Sequence, residues 1–514
     1  PQQPMITAKR HMIVAGHYLA TEAGAKILEA GGNAIDAGVA AGIALGVVHS
    51  DQVQFSGVAP MLIYLAEKDE VISIAGLGHW PKSANLSLFE NQYNGTIPLG
   101  LLRTVVPAAP DAWITVLKNY GTMSFGEVAS SAIKYAREGI TVHPTMAKFL
   151  SRYQENYRMW PSNSNIWQKN GDPLEVGDLL IQTDLATTIQ FMADQEAAAM
   201  KDGREKGLQA ARDAFYIGDI AREIVKYHKE NGGLMTADDM ASYRTPIEKP
   251  LSISFRGTEV YSCRPWCQGP VLLQMLNILN DIDLNAMGHN STDYIHYLAE
   301  TIKLSFADRE RYYGDPNFID VPIEKLLSSE FAKQRQEQIN PQKAWPEMPP
   351  AGEIEGFGGI SFRSDINSDA SFSEPDTSYT CTMDKQGNVC SITPSDVSFE
   401  SPVIPDLGFC PSARGSQSFA TRGHASEIAP GKRPRLTPNP AMALRRNQFV
   451  MPFGAPGGDT QPQGMLQVIL NHLVFGMDIQ SSIEAPRFST VSYTHLRAHE
   501  TPEHRGCPRR RDKK

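Results

Sequence analysis

The spacing of apolar positions separates a largely helical front, a loose connector and an alternating back. "TEAGAKILEAGG" (21–32) places Ala23, Ile27, Leu28 and Ala30 on one side of a short amphipathic helix, which Gly31-Gly32 stop. "NAIDAGVAAGIALGVVHS" (33–50) restarts at Asn33, a good N-cap residue. It is small and apolar nearly all round, which predicts a buried helix with close neighbours. "MLIYLAEKDEVISIAGLG" (61–78) predicts two strands around a charged turn. Residues 183–310 are mostly helical in pattern, with "GTEVYSC" (257–263) as a strand among them. "DYIHYLAETIKLSFADRERYYGDP" (293–316) predicts a long amphipathic helix that ends before Gly314-Asp315-Pro316.

A Pro-, Gly- and Ser-rich section over 341–376 reads as an exposed connector. After it, "TSYTCTMD" alternates, with Tyr379, Cys381 and Met383 on one side and Ser378, Thr380 and Thr382 on the other. "KQGN" supplies a turn with Gly387 where a positive φ is needed, and "VCSITPSD" returns as the partner strand. "NQFVMPFGAPGGD" predicts a strand running into a glycine pair, and "PQGMLQVILNHLVFG" (462–476) a covering helix. Helices, connector, hairpins and covering helix together predict an α+β fold packed in layers.

Composition narrows the classes. A chain of 514 residues, 41% apolar, holds two or three domains or one large layered domain. A formal charge of −9 argues against nucleic acid as partner. No apolar run has the length of a membrane span, and the first residues lack the charged head and apolar core of a signal peptide. A soluble, cytoplasmic protein is the expectation from this chain. Six scattered cysteines are too few for a disulfide scaffold, and Cys263 and Cys267 have no second pair to make a zinc site. From Val491 the chain turns basic, with seven Lys and Arg against three acids and no sustained apolar period. His495 and His499 have ligand spacing, but no third ligand is placed nearby. Residues 491–514 therefore read as a disordered or foreign tail that resembles translated adaptor sequence, with the natural C-terminus missing.

Thr377 directly follows Asp376 at the first position of the hairpin. An N-terminal Thr is a compact catalytic unit, because its hydroxyl is a nucleophile and its own free α-amine a base. Such an amine exists only if the chain is cut between Asp376 and Thr377. "DTSYTCTMDKQGNVCSIT" (376–393) resembles the nucleophile strand of the γ-glutamyltranspeptidase family of N-terminal-nucleophile hydrolases. Further resemblances follow in the family's order: "ILEAGGNAIDAGVAA" (27–41), "VYSCRPWCQGPVLLQMLNIL" (260–279), "IHYLAETIKLSFADRERYYGDPNF" (295–318), "GKRPRLTPNPAMAL" (431–444), "FGAPGGD" (453–459) and "SSIEAPRF" (481–488). The likeness covers about 10–490. It implies an αββα sandwich of two stacked antiparallel sheets and self-cleavage before Thr377. The products would be a large subunit (1–376) and a small one (377–490) that stay associated as a heterodimer. It also implies that members are often exported, so the periplasm stays open beside the cytoplasm.

The resemblance implies roles residue by residue. Thr377 stands as nucleophile, Ser395 at the family's second Thr that bonds it, and Gly457 and Gly458 at the oxyanion pair. The substrate-reading positions differ. Leu77 stands where the family holds an Arg for the γ-glutamyl carboxylate, and Gln417-Ser418-Phe419 replaces an Asp-Asp-Phe segment that binds its amine. Val397 replaces an Asn, and Leu436-Thr437 a Ser-Ser pair. Arg103 or Arg414 is a candidate to compensate, Tyr379 and His79 to line the cleft, and Asp36 to serve as a structural helix-end partner. The implied chemistry is amide acyl transfer to water or an amine through an acyl-Thr ester, on a small-molecule amide, with no cofactor or metal. An acylase for less polar side-chain amides (glutaryl or aryl-acyl) and a non-processing binding protein are the competing readings.

Overall fold

Alternation within single strands sorts the side chains of this molecule into layers. The computed structural model describes residues 3–358, 377–491 and 495–499, the strand residues from 491 on as backbone. The core strands are β1 (Met12–Ala15), β2 (Met61–Leu65), β3 (Glu70–Ile74), β4 (Ile247–Glu248), β5 (Leu251–Phe255), β6 (Thr258–Ser262), β7 (Thr380–Met383), β8 (Val389–Ile392), β9 (Ala441–Arg445) and β10 (Phe449–Phe453). One sheet has the order β1-β7-β8-β2-β3-β4 and the other β10-β9-β6-β5, and every pairing is antiparallel. The main covering helices are α1 (Tyr18–Glu29), α2 (Ala34–Val48), α3 (Ala109–Tyr120), α4 (Phe125–Glu138), α5 (Gly269–Leu279), α6 (Thr292–Tyr312) and α7 (Thr460–Leu473).

The central strands of the two sheets are covered on both faces. In β2, Met61 and Ile63 join the apolar cluster of α1 to α4, whereas Leu62 and Tyr64 turn to a cluster between the sheets. In β8, Cys390 and Ile392 face the helices and Val389 faces the other sheet. In β9, Ala441 and Ala443 pack with α5, α6 and α7, while Met442 joins Leu62 and Val389 in the middle layer. Helix, sheet, sheet, helix is the αββα sandwich that the resemblance implied.

Small residues let α2 lie close to its neighbours. All 15 of its residues are buried, and a Cβ on Gly42 would come within 2.5 Å of the Trp113 ring. Asn33 caps the helix, accepting from Ile35 N and Asp36 N, and its own N–H donates in turn to Asp36 Oδ2. The Asp36 carboxylate also accepts from Thr122 Oγ1 at 2.6 Å and from the backbone N–H groups of Thr122 and Met123. It is the structural helix-end partner expected.

Three expectations shift. The first helix begins at Tyr18 rather than residue 21, because the His17 ring acts as its cap and accepts from Leu19 N at 3.2 Å. The connector is anchored up to residue 358: Ala351 and Ile354 are buried, Gly352 N donates to Asp308 Oδ1 at 2.7 Å, and the Tyr312 hydroxyl donates to Gly352 O. Its remainder, 359–376, lies outside the described residues. Past residue 491 the pattern predicts no element, yet His495–His499 forms a strand, β12, antiparallel to β11 (Arg487–Val491). Elsewhere the hairpin turns at Gly387 with φ 86°, and α6 starts at a Ser291 cap and ends at Tyr312. Among the described residues no helix is long and apolar enough to cross a membrane.

Asp36→Ala removes a buried carboxylate that accepts from three part-buried backbone N–H groups and the Thr122 hydroxyl, and each net hydrogen bond lost costs about 0.5–1.5 kcal/mol. A clearly lowered thermal midpoint is expected, with Asp36→Asn intermediate. An unchanged midpoint for Asp36→Ala would contradict this role.

Candidate active site

Pro394 has no N–H to donate, so regular pairing of β8 stops just before it. The sheet nonetheless continues by single bridges, Thr377 to Ser395 and Ser395 to Val58. Ser378 N donates to Pro394 O, Ser395 N to Val58 O, and Val58 N to Ser395 O, at 3.1–3.2 Å. Thr377 thus lies at the head of a central strand, with its Oγ1 2.8 Å from Ser395 Oγ and both side chains buried. Asp376 lies outside the described residues.

A charged pair stands behind these hydroxyls. Arg414 donates through Nη2 to Ser395 Oγ, and its Nε is 3.6 Å from Asp396 Oδ1. Asp396 has φ 142°, a backbone state that side chains with a Cβ avoid. It is held there by hydrogen bonds from Ser412 Oγ (2.5 Å) and Ala413 N (3.2 Å) and by its own N–H donating to Gln52 O. Burial pushes the Asp396 carboxyl up to about 6, against the pull of the Arg414 guanidinium and the Ser412 hydroxyl.

The glycine pair sits in the turn before α7. Gly457 has φ 109° and Gly458 φ 50°, conformations open to glycine at no steric cost. Thr460 donates to Gly457 O from both its N (2.9 Å) and its Oγ1 (2.6 Å), and Gln268 Nε2 donates to Gly458 O at 2.8 Å. Among the described residues neither glycine N–H is donated to a protein acceptor. Arg309 pairs with Asp459, the next residue, and donates to Gln268 Oε1 at 2.7 Å. Burial opposes ionisation of the neighbouring Glu310, yet Arg435 and Arg309 hold its carboxyl well below the usual carboxylate range.

The positions that the resemblance assigns to substrate reading divide. Gln417 and Thr437 come together: Gln417 Nε2 donates to Thr437 Oγ1 at 2.7 Å, and Thr437 N donates to Gln417 Oε1 at 3.0 Å. Ser418 instead accepts from Trp80 Nε1 at 2.9 Å. Leu77 and Leu436 are fully enclosed in the cluster between the sheets, and Val397 is buried. The Tyr379 hydroxyl shares a hydrogen bond with Ser391 Oγ, and its ring is so close to Gly454 that a Cβ there would strike it. His79 is half-buried, with Nδ1 2.9 Å from Trp80 O. Arg103 is committed to Glu400 (2.7 Å) and to the carbonyls of Ile97 and Pro98, whereas Arg414 stands beside the Thr377–Ser395 hydroxyl pair.

Sequence reasoning did not single out Asp396, Gln268, Arg309 or Asp459. One signal was available for Arg309: α6 is buried from Leu298 to Glu310, so its charged Asp308-Arg309-Glu310 run must find partners inside.

Two stacked antiparallel sheets between helical layers, with a buried Thr heading a central strand, define the N-terminal-nucleophile hydrolase class of enzymes. The family model for gamma-glutamyltranspeptidase matches residues 20–503. A glutathione hydrolase-like proenzyme of Bacillus subtilis (strain 168) is 32% identical over 487 residues, spanning 94% of this chain and 85% of its own. The Acylase ACY 1 proenzyme of Pseudomonas sp. (strain SE83) is 31% identical, spanning 94% and 83%. The crystal structure of a cephalosporin acylase from Bacillus halodurans superposes with a TM-score of 0.83 at 29% identity, over 95% of this chain and 85% of that one. The chain belongs to the γ-glutamyltranspeptidase family.

Arg414→Met leaves Asp396 buried without its cation, a change that typically costs about 3–5 kcal/mol. The double variant Asp396→Asn/Arg414→Met removes the orphaned charge and is expected to recover part of the lost thermal midpoint. Strict additivity of the two single effects would contradict the pairing.

Proposed function

We propose that this chain is a self-cleaving proenzyme whose mature form transfers a γ-glutamyl or related acyl group from a small amide to water or an amine through an acyl-Thr377 ester. The observation that carries this reading is the buried Thr377 Oγ1, 2.8 Å from Ser395 Oγ, at the head of a central strand and immediately after Asp376. In the uncut chain Thr377 Oγ1 attacks the carbonyl carbon of Asp376. The peptide C–N bond breaks, the Thr377 nitrogen takes the proton, and water hydrolyses the resulting ester. The large subunit is then 1–376 and the small subunit 377–490, with 491–514 as a tail. Their association is supported by the sheet order, in which β7 and β8 of the small subunit lie between β1 and β2 of the large one.

In the mature enzyme the Thr377 α-amine takes the hydroxyl proton as Oγ1 attacks the donor amide. The N–H groups of Gly457 and Gly458 receive the oxyanion, and the leaving amine departs with the proton. Water or an amine then attacks the ester by the same path in reverse. These steps use no cofactor.

A second reading, an acylase for less polar side-chain amides, is favoured by a specific observation. Leu77 and Leu436 lie in apolar core, Ser418 is engaged by Trp80, and Gln417 is engaged by Thr437, so the positions that read a γ-glutamyl carboxylate and ammonium carry no charge. A desolvated charge without its partner loses about 2–5 kcal/mol of binding. The two readings separate on p-nitroanilides of γ-glutamyl, glutaryl and phenylacetyl groups, which share one leaving group. Glutaryl keeps the carboxylate and lacks only the ammonium, so the uncharged Gln417 and Ser418 predict a kcat/KM for γ-glutamyl at least about tenfold below that for glutaryl. A preference for γ-glutamyl over both others would reject the acylase reading.

A further inference from the structure

We infer that Gln268 is a positioning residue that locks the glycine pair to the Gln417–Thr437 loop and so fixes where the oxyanion is received. This rests on Gly457 and Gly458 being the oxyanion donors, as proposed above.

Gln268 stands just before α5 and is fully buried. Its backbone N–H donates to Leu436 O at 2.9 Å. Its side-chain nitrogen donates twice, to Thr437 O at 2.9 Å and to Gly458 O at 2.8 Å. An amide nitrogen has two protons, so both are spent, one on each loop. Arg309 Nη1, donating to Gln268 Oε1 at 2.7 Å, fixes which end of the amide is which.

The consequence falls on Gly458. The peptide plane before it is pinned through Gly457 O, which accepts from Thr460 N and Oγ1. Because N–H and C=O point opposite ways across a trans peptide, this turns the Gly458 N–H away from the start of α7. The plane after Gly458 is pinned through its own carbonyl by Gln268. A glycine otherwise free in φ and ψ is thereby held from both sides. Arg309 grips the same turn once more through Asp459, and Glu310 takes guanidinium bonds from Arg309 (3.0 Å) and Arg435 (2.9 and 3.0 Å). Arg435 immediately precedes the Leu436-Thr437 loop, so the network closes on itself.

Gln268→Glu tests this at constant size, since a carboxylate keeps Arg309 as partner but donates to neither carbonyl. Gln268→Ala is the second variant. Donors aimed at an oxyanion act in the transition state, and losing one outright costs about a hundred- to a thousandfold in kcat. Misaiming the loop is expected to lower kcat by about ten- to a hundredfold, with KM within about twofold, on the anilide that wild type turns over best. Hydrogen–deuterium exchange should rise together in residues 454–460 and 436–439, and not in the β7–β8 hairpin. Unchanged kcat in Gln268→Glu, or exchange rising in one loop only, would overturn the proposal. So would a general rise across the molecule, which marks a merely structural residue. The exchange readout applies equally to cut and uncut protein, so a wild type that never cleaves would sink the functional reading while the positioning claim is still decided.

Discussion

A central strand buried on both faces must satisfy its polar side chains inside the protein, and β7 is built under that constraint. It lies between β1 and β8, with helices on one face and the second sheet on the other. From Thr377 to Met383 its side chains are hydroxyls, one thiol and one thioether, not charges, and four of the five hydroxyls are bonded, while Ser378 Oγ is buried with no partner among the described residues. Thr380 Oγ1 donates to Val14 O, Thr382 Oγ1 to Ala34 O, Tyr379 shares a bond with Ser391, and Thr377 with Ser395. Each bond left unmade in such a place would cost about 1–3 kcal/mol. Thr377, the proposed nucleophile, is the first of this series of hydroxyls, and its position follows from the register of the sheet.

Beside the hydroxyl pair and the glycine pair, buried charges stand in closed sets. Asp396 is met by Arg414 behind Ser395, and Glu310 by Arg309 and Arg435 beside the glycine turn. Buried ion pairs contribute little net stability but are costly to break, which makes them suited to fixing one geometry. Here they flank the two halves of the proposed site, the hydroxyl pair and the glycine pair. The sandwich supplies the frame, and the ion pairs hold the segments that arrive from distant parts of the chain.

What was legible in the sequence was local or periodic. The hairpin showed through its alternation and Gly387, α2 through its small apolar run and Asn33, and α6 through its long amphipathic period. Thr377 stood out only because the motif resembles a family strand, since a Thr opening an amphipathic strand is ordinary by itself. The supports of the site were not legible, because their partners lie far apart: Gln268 and Gly458 are separated by 190 positions and Arg309 and Asp459 by 150. Arg103 was visible as a charge, but its commitment to Glu400, 297 positions away, was not. Leu77 was placed by likeness in a substrate-reading position, and its enclosure between the sheets depends on a second sheet that strand periodicity does not reveal. The anchoring of the connector by Asp308 was hidden for the same reason, since no local pattern announces a single bond to Gly352.

The central claim is that Thr377 becomes a chain terminus. Intact mass with N-terminal sequencing of the purified protein tests it most directly, with Thr377→Ala as control. The account predicts two chains in the wild type, one beginning Thr-Ser-Tyr-Thr, and a single chain in the variant. A folded wild type that stays as one chain, or a cut at any other bond, would contradict it.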